Sequence, residues 1–335
     1  MSHSYLTTLH AVALALELAA ERGMPYPDEL LANSGIDARQ LKYPDMRITV
    51  AQERQVFLNA TASYPDLGLE IGSRMHVTSY GMLGYTLLSA ATLGDALRIA
   101  FTYPALLGTL FELSLKVDGD TAWIEARGYR ESEALEVFNT EFCLTSLTLI
   151  CGDLLGRSLA VRAAHFRHTQ PSYGACYAAT FGCPTHFNSA ENAFGFDASL
   201  LTQRLPLADA VTHRDMLERI DRLNLEFVQR QDLITRTRAV IAKALPGSLG
   251  LNDLAQSLGC SSRSLRRRLQ EAGTHYQALL DEIRYAHART LLHQERLPIS
   301  HVAEVMGYSE TASFRHAFRR WSGMNPRTFR HPRVG

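Results

Sequence analysis

The chain has 335 residues, 46% of them hydrophobic and 20% charged, which is the composition of an ordinary globular protein with room for two domains. No apolar stretch reaches the roughly 18 residues that a membrane-spanning helix needs, and the first residues lack the basic start of a signal peptide. Five scattered cysteines, an odd number, favour reduced thiols over a disulfide framework. We therefore expect a cytoplasmic protein.

The net charge of zero conceals an uneven distribution along the chain. Residues 1–229 contain 17 Lys and Arg against 26 Asp and Glu, a charge of −9, whereas residues 230–335 contain 17 against 8, a charge of +9. All but one of the basic residues in the second part are arginine, which binds phosphate or guanine through two hydrogen bonds. This distribution favours a polyanionic partner over a solvated basic face on an enzyme domain.

Helical and strand patterns both occur in the N-terminal part. Apolar residues at helical spacing predict helices over 6–20, 28–34, 93–100 and 137–155. Alternating or short apolar runs predict strands over 111–117, 121–126, 161–168 and 185–196. Thr92 is suited to cap the third helix, and Asp118-Gly119-Asp120 is a turn signal between the first two strands. The pattern predicts an α+β fold with an antiparallel sheet for residues 1–205.

Residues 206–232 alternate in charge and carry apolar side chains at helical spacing, so we expect a linker helix there. Everything from 233 to 335 has helical patterns, which predicts an all-α domain. The apolar faces at 217–228 and 144–155 could bury a partner subunit or only the core of the same chain.

The C-terminal part contains one internal repeat. Leu-Ala-Gln-Ser-Leu-Gly-Cys-Ser at 254–261 returns 48 positions later as Val-Ala-Glu-Val-Met-Gly-Tyr-Ser at 302–309. Each copy combines a short helix, a glycine able to take the left-handed conformation and a serine able to cap a second helix. This predicts two helix-turn-helix units, bridged by a long helix over 275–293. That helix is about 28 Å long, against about 34 Å between successive major-groove faces, so both units could reach adjacent turns of DNA.

The second helix of each unit should expose polar residues opposite its buried ones. Leu265 and Leu269 lie one turn apart and point to the core, which turns arginines outward in the first unit. Phe314 and Phe318 do the same in the second unit, whose outward face is less basic. An exposed arginine-rich helix suits a major groove, because one guanidinium spans the two acceptors of guanine.

Residues from about 236 to 330 resemble the DNA-binding domain of the AraC/XylS class of bacterial regulators. The specific part is the closing signature, formed by Gly307-Tyr308-Ser309, Phe314, Phe318 and Gly-Met-Asn-Pro-Arg-Thr-Phe-Arg at 323–330. The resemblance places base contacts at Arg263, Arg266, Arg267, Thr311, Ala312, Arg315 and His316. We assign phosphate contacts to Ser262, Arg268, Arg319 and Arg320. Ala312 is small where the family often has a polar residue.

The N-terminal part, from about 9 to 205, resembles the effector and dimerisation domain of regulators of amino-acid and amine catabolism. The resemblance rests on residues 81–85 and 92–97, and on Phe181-Gly182, Phe187 and Phe194. It implies a homodimer and a small-molecule pocket, on a fold other than the double-stranded barrel of the arabinose sensor. Candidate effector-binding residues are Tyr80, Tyr85, Phe101 and Tyr103, although simple core packing explains any one of them better.

Three functional hypotheses follow. The leading one is a dimeric, effector-responsive activator that binds double-stranded DNA and contacts RNA polymerase; the second is the same regulator controlled by protein level or by a protein partner. The third, an enzyme fused to a DNA-binding domain, is disfavoured because the N-terminal part has no Gly-x-Ser-x-Gly elbow, His-Glu-x-x-His helix or dinucleotide fingerprint. The spacings of Cys176, Cys183, His165, His168 and His186 do not match a usual zinc site, so we expect no metal or cofactor.

Overall fold

The computed structural model describes residues 6–8, 10–23, 27–38, 41, 47–129, 132–247, 249–294, 297–322 and 324–330. The chain divides into two compact units, Met1–Phe227 and Val228–Gly335. The first combines helices with a mixed sheet, and the second is helical with two helix-turn-helix units bridged by a long helix. The predicted fold class is therefore confirmed.

Nine α-helices are described in the first unit before the chain reaches its last long helix. They are α1 (His10–Glu21), α2 (Pro27–Leu31), α3 (Val50–Ser63), α4 (Leu67–Gly72), α5 (Gly81–Leu88), α6 (Leu93–Thr102), α7 (Pro104–Leu107), α8 (Glu136–Leu155) and α9 (Ala175–Phe181). The predicted cap of α6 is confirmed, because the Thr92 side chain accepts the backbone N–H of Asp95. The helix predicted from residue 6 begins only at His10, because residues 6–8 form a strand.

Two sheets are described in this unit. The small one pairs β1 (Leu6–Thr8) with β2 (Arg47–Thr49). The large one has the order β3-β4-β7-β5-β6, with β3 (Glu112–Asp118), β4 (Thr121–Arg127), β5 (Val161–His165), β6 (Thr185–His186) and β7 (Asn192–Asp197). The predicted hairpin β3–β4 is confirmed, but β5 and β6 pair in parallel, so the prediction of an antiparallel sheet was wrong for that pair. The segment between them includes α9 and is long enough for the crossover that parallel strands need.

The central element of the first unit is α8. Its residues Leu144, Leu147 and Ile150 share a hydrophobic core with the inner face of the sheet, which includes Ile124 and Phe194. The segment 133–155 is apolar and long enough to cross a membrane, which the sequence analysis did not anticipate. Most of it is buried inside this unit, so packing against the sheet and neighbouring helices accounts for its apolar composition.

Helix α4 crosses α8 at very close range. A Cβ atom on Gly68 would lie 2.6 Å from the carbonyl oxygen of Phe138, and one on Gly72 would lie 2.8 Å from Cβ of Thr145. Only glycine allows two helix backbones to approach so closely. The crossing seals one carboxylate, that of Glu141, inside the core.

Glu141 is fully buried on α8 and is held by two tyrosines. Its Oε1 atom accepts the hydroxyl of Tyr173 at 2.8 Å and that of Tyr177, whereas Oε2 has no hydrogen-bond partner among the described residues. Burial raises the pKa of Glu141 to about 7, and the two hydroxyl donors oppose that shift. Folding therefore favours the protonated carboxyl.

The second unit contains most of the positively charged half of the chain. Its helices are the end of α10 (Ala210–Ala244), then α11 (Leu251–Ser257), α12 (Ser262–Glu271), α13 (Tyr276–Gln294), α14 (Ile299–Val305), α15 (Thr311–Ser322) and α16 (Pro326–Arg330). The helix expected over 206–232 continues to Ala244 without a break. Two separate hydrophobic cores follow, one around Leu265 and Leu269 and the other around Phe314 and Phe318.

We predict that Glu141→Gln removes a pH dependence from the first unit. A pKa raised from 4.5 to about 7 contributes stability that is complete below pH 4.5 and is lost as the pH rises through 7. Between pH 5 and 8 the wild type should lose about 2–3 kcal/mol of unfolding free energy from this group, and the variant should not. Denaturant titrations in a Trp321→Phe background, where Trp123 is the remaining tryptophan, measure the difference. Parallel pH profiles for the two proteins would contradict the prediction.

Candidate DNA interface

The two repeat copies form the same turn. Gly259 and Gly307 have φ angles of +69° and +78°, in the left-handed region. The residue after each glycine donates its backbone N–H back into the first helix, Cys260 to Ala255 O at 3.0 Å and Tyr308 to Ala303 O at 2.9 Å. This is the hydrogen bond that closes a helix at a left-handed glycine. Both copies are therefore helix-turn-helix units in structure as well as in sequence.

In the first unit of the pair, α12 presents arginines to solvent. Ser261 caps it by accepting the N–H of Ser264 at 3.2 Å, and Leu265 and Leu269 are fully buried. The arginines on the remaining faces are all exposed, namely Arg263, Arg266, Arg267 and Arg268. Arg267 pairs with Glu271 one turn later at 3.0 Å, and Ser262 is half-buried and donates its hydroxyl to Asn252. An exposed pair within one helix is worth about 0.3–0.5 kcal/mol, so Arg267 can exchange it for DNA.

In the second unit of the pair, α15 has a smaller and less basic exposed face. Phe314 and Phe318 are fully buried, as predicted. The expected base-contacting residues Ala312, Arg315 and His316 are exposed, and Thr311 is half-buried at the start of the helix. Of the residues expected at phosphates, Arg319 is exposed, whereas Arg320 donates through Nη2 to the carboxylate of Asp281 at 2.9 and 3.2 Å.

A surface cleft of about 500 Å³ adjoins α15. It is lined by Ile299, Ser300, Thr311, Arg315, Arg327 and Arg330. Arg330 is committed to the fold, since it donates to the carbonyl of Leu297, but Arg327 is exposed and has no ion pair among the described residues. In the sequence Arg327 stands out only as part of the closing signature. Its place beside α15 depends on the packing of Phe329 on Phe318, which no local pattern indicates. The absence of an acidic neighbour in sequence was the one available signal.

Uncompensated positive charge accumulates along these helices. Within the described ranges of the chain, no ion pair is formed by the guanidinium groups of Arg263, Arg266, Arg268, Arg315 and Arg319. Exposed cations without acidic partners are what a polyanion neutralises on binding. The interface therefore combines two projecting helices with free positive charge on both.

The four candidate effector residues lie in different surroundings in the first unit. Tyr80 packs against both of its hydrophobic cores, and Phe101 lies half-buried against the larger one. Tyr103 is buried and donates its hydroxyl to Asp221, whereas Tyr85 is 55% exposed. No ring contact joins these four side chains within the part of the chain that the structure describes. Their assignment to effector binding stays a prediction.

Of the histidines and cysteines considered as metal ligands, His165 and His186 lie close together. The rings of His165 and His186, on neighbouring strands, are 5.1 Å apart, and His165 also contacts Trp123 at 4.9 Å. Over the described residues, no group of three or more His, Cys, Asp or Glu side chains could hold a metal ion.

Comparison with known proteins gives a consistent result. Residues 26–205 match the family described as the arabinose-binding domain of AraC transcription regulator, N-terminal, and residues 254–331 match a helix-turn-helix domain family. The chain is 31% identical over 318 residues to the ornithine utilization regulator of Pseudomonas aeruginosa, covering 94% of this chain and 93% of that protein.

Two further similarities extend over nearly the whole chain. An uncharacterized HTH-type transcriptional regulator of Mycobacterium tuberculosis is 31% identical over 340 aligned residues, covering 95% of this chain and 94% of that protein. The crystal structure of the transcriptional regulator CdpR from Pseudomonas aeruginosa aligns over 96% of this chain and 98% of that one, with 24% identity and a TM-score of 0.49. The two family matches and the two relatives show that this chain belongs to the AraC family of DNA-binding transcription regulators.

Proposed function

We propose that this regulator recognises a specific DNA sequence by inserting α12 and α15 into two successive segments of the major groove. The observation that carries the proposal is the pair of exposed, basic recognition helices held in one helical unit. Base contacts are assigned to Arg263, Arg266 and Arg267 on α12, and to Thr311, Ala312, Arg315 and His316 on α15. Because α12 offers three guanidinium groups and α15 has the short Ala312, we assign most of the discrimination to α12.

The phosphate contacts orient the domain without selecting sequence. We assign them to Ser262, Arg268 and Arg319, and to the nitrogens of Arg320 that do not bind Asp281. The structure adds a candidate in Arg327, because the cleft that it lines also contains Thr311 and Arg315. A phosphate lying beside the bases that α15 contacts would enter this cleft.

For the first unit we propose dimerisation and binding of a small-molecule effector, without catalysis. The match of residues 26–205 to an arabinose-binding domain supports a ligand-binding role, and the name of the Pseudomonas relative favours an amino acid or amine over a sugar. Exposed apolar residues near its end, Val211, Leu223 and Leu225, suit burial by a second copy. The full proposal is a cytoplasmic activator that contacts RNA polymerase; control by protein level or a protein partner is the alternative.

The first prediction from the proposed function separates sequence specificity from general DNA affinity. After selection of preferred sequences from random DNA with the wild-type protein, Arg267→Ala should lower the ratio of specific to scrambled-DNA affinity about tenfold or more, because a bidentate arginine–guanine contact is worth about 1–3 kcal/mol. Arg319→Ala is the matched control, since loss of a phosphate contact weakens both affinities about equally. The assignment to α12 is wrong if Arg267→Ala keeps the ratio and His316→Ala abolishes it. Failure of the wild type to select any sequence would refute the proposed function itself.

The second prediction concerns Arg327. Its replacement by alanine should reduce the slope of log affinity against log salt by about one, because one fewer phosphate is neutralised, while sequence preference is unchanged. Arg236→Ala, which removes an exposed arginine already paired with Asp232, provides the control. Equal slopes for Arg327→Ala and Arg236→Ala would exclude Arg327 from the interface.

The third prediction tests the assignment of dimerisation to the first unit. Light scattering at micromolar concentration should give the mass of a dimer for the full chain and that of a monomer for residues 228–335 alone, since the second unit has its own two cores. A monomeric full chain, with and without the selected DNA, would contradict the dimer.

A further inference from the structure

The two helix-turn-helix units do not share a continuous hydrophobic core. Helix α13 contributes Leu279 and Leu280 to the core around α12, and Ala288 and Leu292 to the core around α15. Between these two sets lie the charged residues Asp281 and Glu282, followed by Ile283, which packs against the first of these cores, and Tyr285, which packs against the second. Each core therefore takes its apolar contacts from its own part of α13, and the charged residues between them make polar contacts.

Two ion pairs lie directly after the first of these sets and join α13 to two different helices. Asp281 accepts from Arg320 on α15 at 2.9 and 3.2 Å, which joins α13 to the second helix of the second helix-turn-helix unit. Glu282, the next residue, accepts from Arg238 on α10, whose neighbours Ile234 and Ile241 belong to the core around Leu265 and Leu269. Arg238 is 14% exposed and Asp281 23%, so both pairs are partly shielded from water. We call the two pairs, Asp281 with Arg320 and Glu282 with Arg238, the ion-pair clip.

A backbone contact supports the same junction. A Cβ atom on Gly307, in the turn of the second unit, would lie 3.0 Å from the carbonyl oxygen of Pro246, in the loop between α10 and α11. Within the described residues, the turn of the second helix-turn-helix unit thus lies against the loop between α10 and α11, and the ion-pair clip joins the two units through α13.

We propose that the ion-pair clip fixes the separation and rotation of α12 relative to α15, and so sets the spacing of the two DNA segments that one chain can bind. The proposal rests on the proposed function, because it concerns how the two recognition helices act together. Asp281 and Glu282 are positioning residues, since carboxylates are repelled by DNA and act here through Arg320 and Arg238. Each base pair inserted between two sites moves one of them by about 3.4 Å and rotates it by about 34°, so a fixed pair of helices tolerates little change in spacing.

The test measures an insertion penalty, defined as the affinity for the selected DNA divided by that for the same DNA with one base pair added between its two contacted segments. We expect a penalty of about tenfold or more for the wild type, and a penalty at least about threefold smaller for Asp281→Asn with Glu282→Gln. Because the penalty is a ratio, the gain in general affinity that follows from removing negative charge cancels.

Controls distinguish a lost pair from a lost charge or a damaged fold. Glu304→Gln removes an exposed carboxylate from α14 and should keep the wild-type penalty. Arg320→Asp should reduce the penalty, and Asp281→Arg together with Arg320→Asp should restore it by rebuilding the pair in reverse. Failure of this double variant to restore the penalty while it unfolds at the wild-type temperature counts against the proposal.

A second readout needs no DNA. In a full chain carrying Cys176→Ser and Cys183→Ser, diluted with unlabelled protein, spin labels on Cys260 and on Ser309→Cys report the distance between the two turns. The distance distribution should broaden when Asp281→Asn and Glu282→Gln are added. An unchanged distribution, or an unchanged insertion penalty, overturns the proposal. If the wild type selects no DNA, the proposed function fails, and the distance measurement still decides the role of the clip.

Discussion

The burial of two side chains one helical turn apart is the constraint on which the DNA interface depends. Leu265 and Leu269 in α12, and Phe314 and Phe318 in α15, are fully buried, and this fixes which face of each helix meets solvent. The exposed positions of α12 can be occupied by arginine because they carry no packing requirement. The buried residues that stabilise the second unit therefore determine which guanidinium groups are exposed and, on the proposed function, which of them can reach a base.

The first unit differs from the second in that it buries a charged residue type in its core. Gly68 and Gly72 let α4 close over α8, and Glu141 is thereby buried with Tyr173 and Tyr177 as its donors. A buried carboxylate with one unpartnered oxygen costs stability when it ionises, so the protonated form is favoured. The acidic half of the chain therefore buries a carboxyl whose pKa is raised to about 7, whereas the basic half exposes its charges.

Much of this arrangement was predictable, because its causes are local. The hairpin β3–β4, the cap of α6 and the exposed face of α12 follow from alternation, one threonine and the spacing of two leucines. Other features depend on residues distant in sequence. The parallel pairing of β5 with β6, the burial of Glu141, the pairing of Arg320 with Asp281 and the place of Arg327 beside α15 arise only when separate elements pack, so no pattern within one segment indicates them.

Family membership and DNA sequence choice depend on different residues of the second unit. The closing signature that carries the resemblance is largely structural: Phe314 and Phe318 are buried, Phe329 packs on Phe318, and Arg330 donates to the carbonyl of Leu297. The proposed base-contacting residues are mostly exposed and lie outside that packing. The residues that carry the family resemblance therefore hold α15 in place, whereas the proposed base contacts fall to side chains that this packing leaves unconstrained. The proposed ion-pair clip links the two sets of residues, because an internal contact would then determine the spacing of the DNA segments that the chain binds.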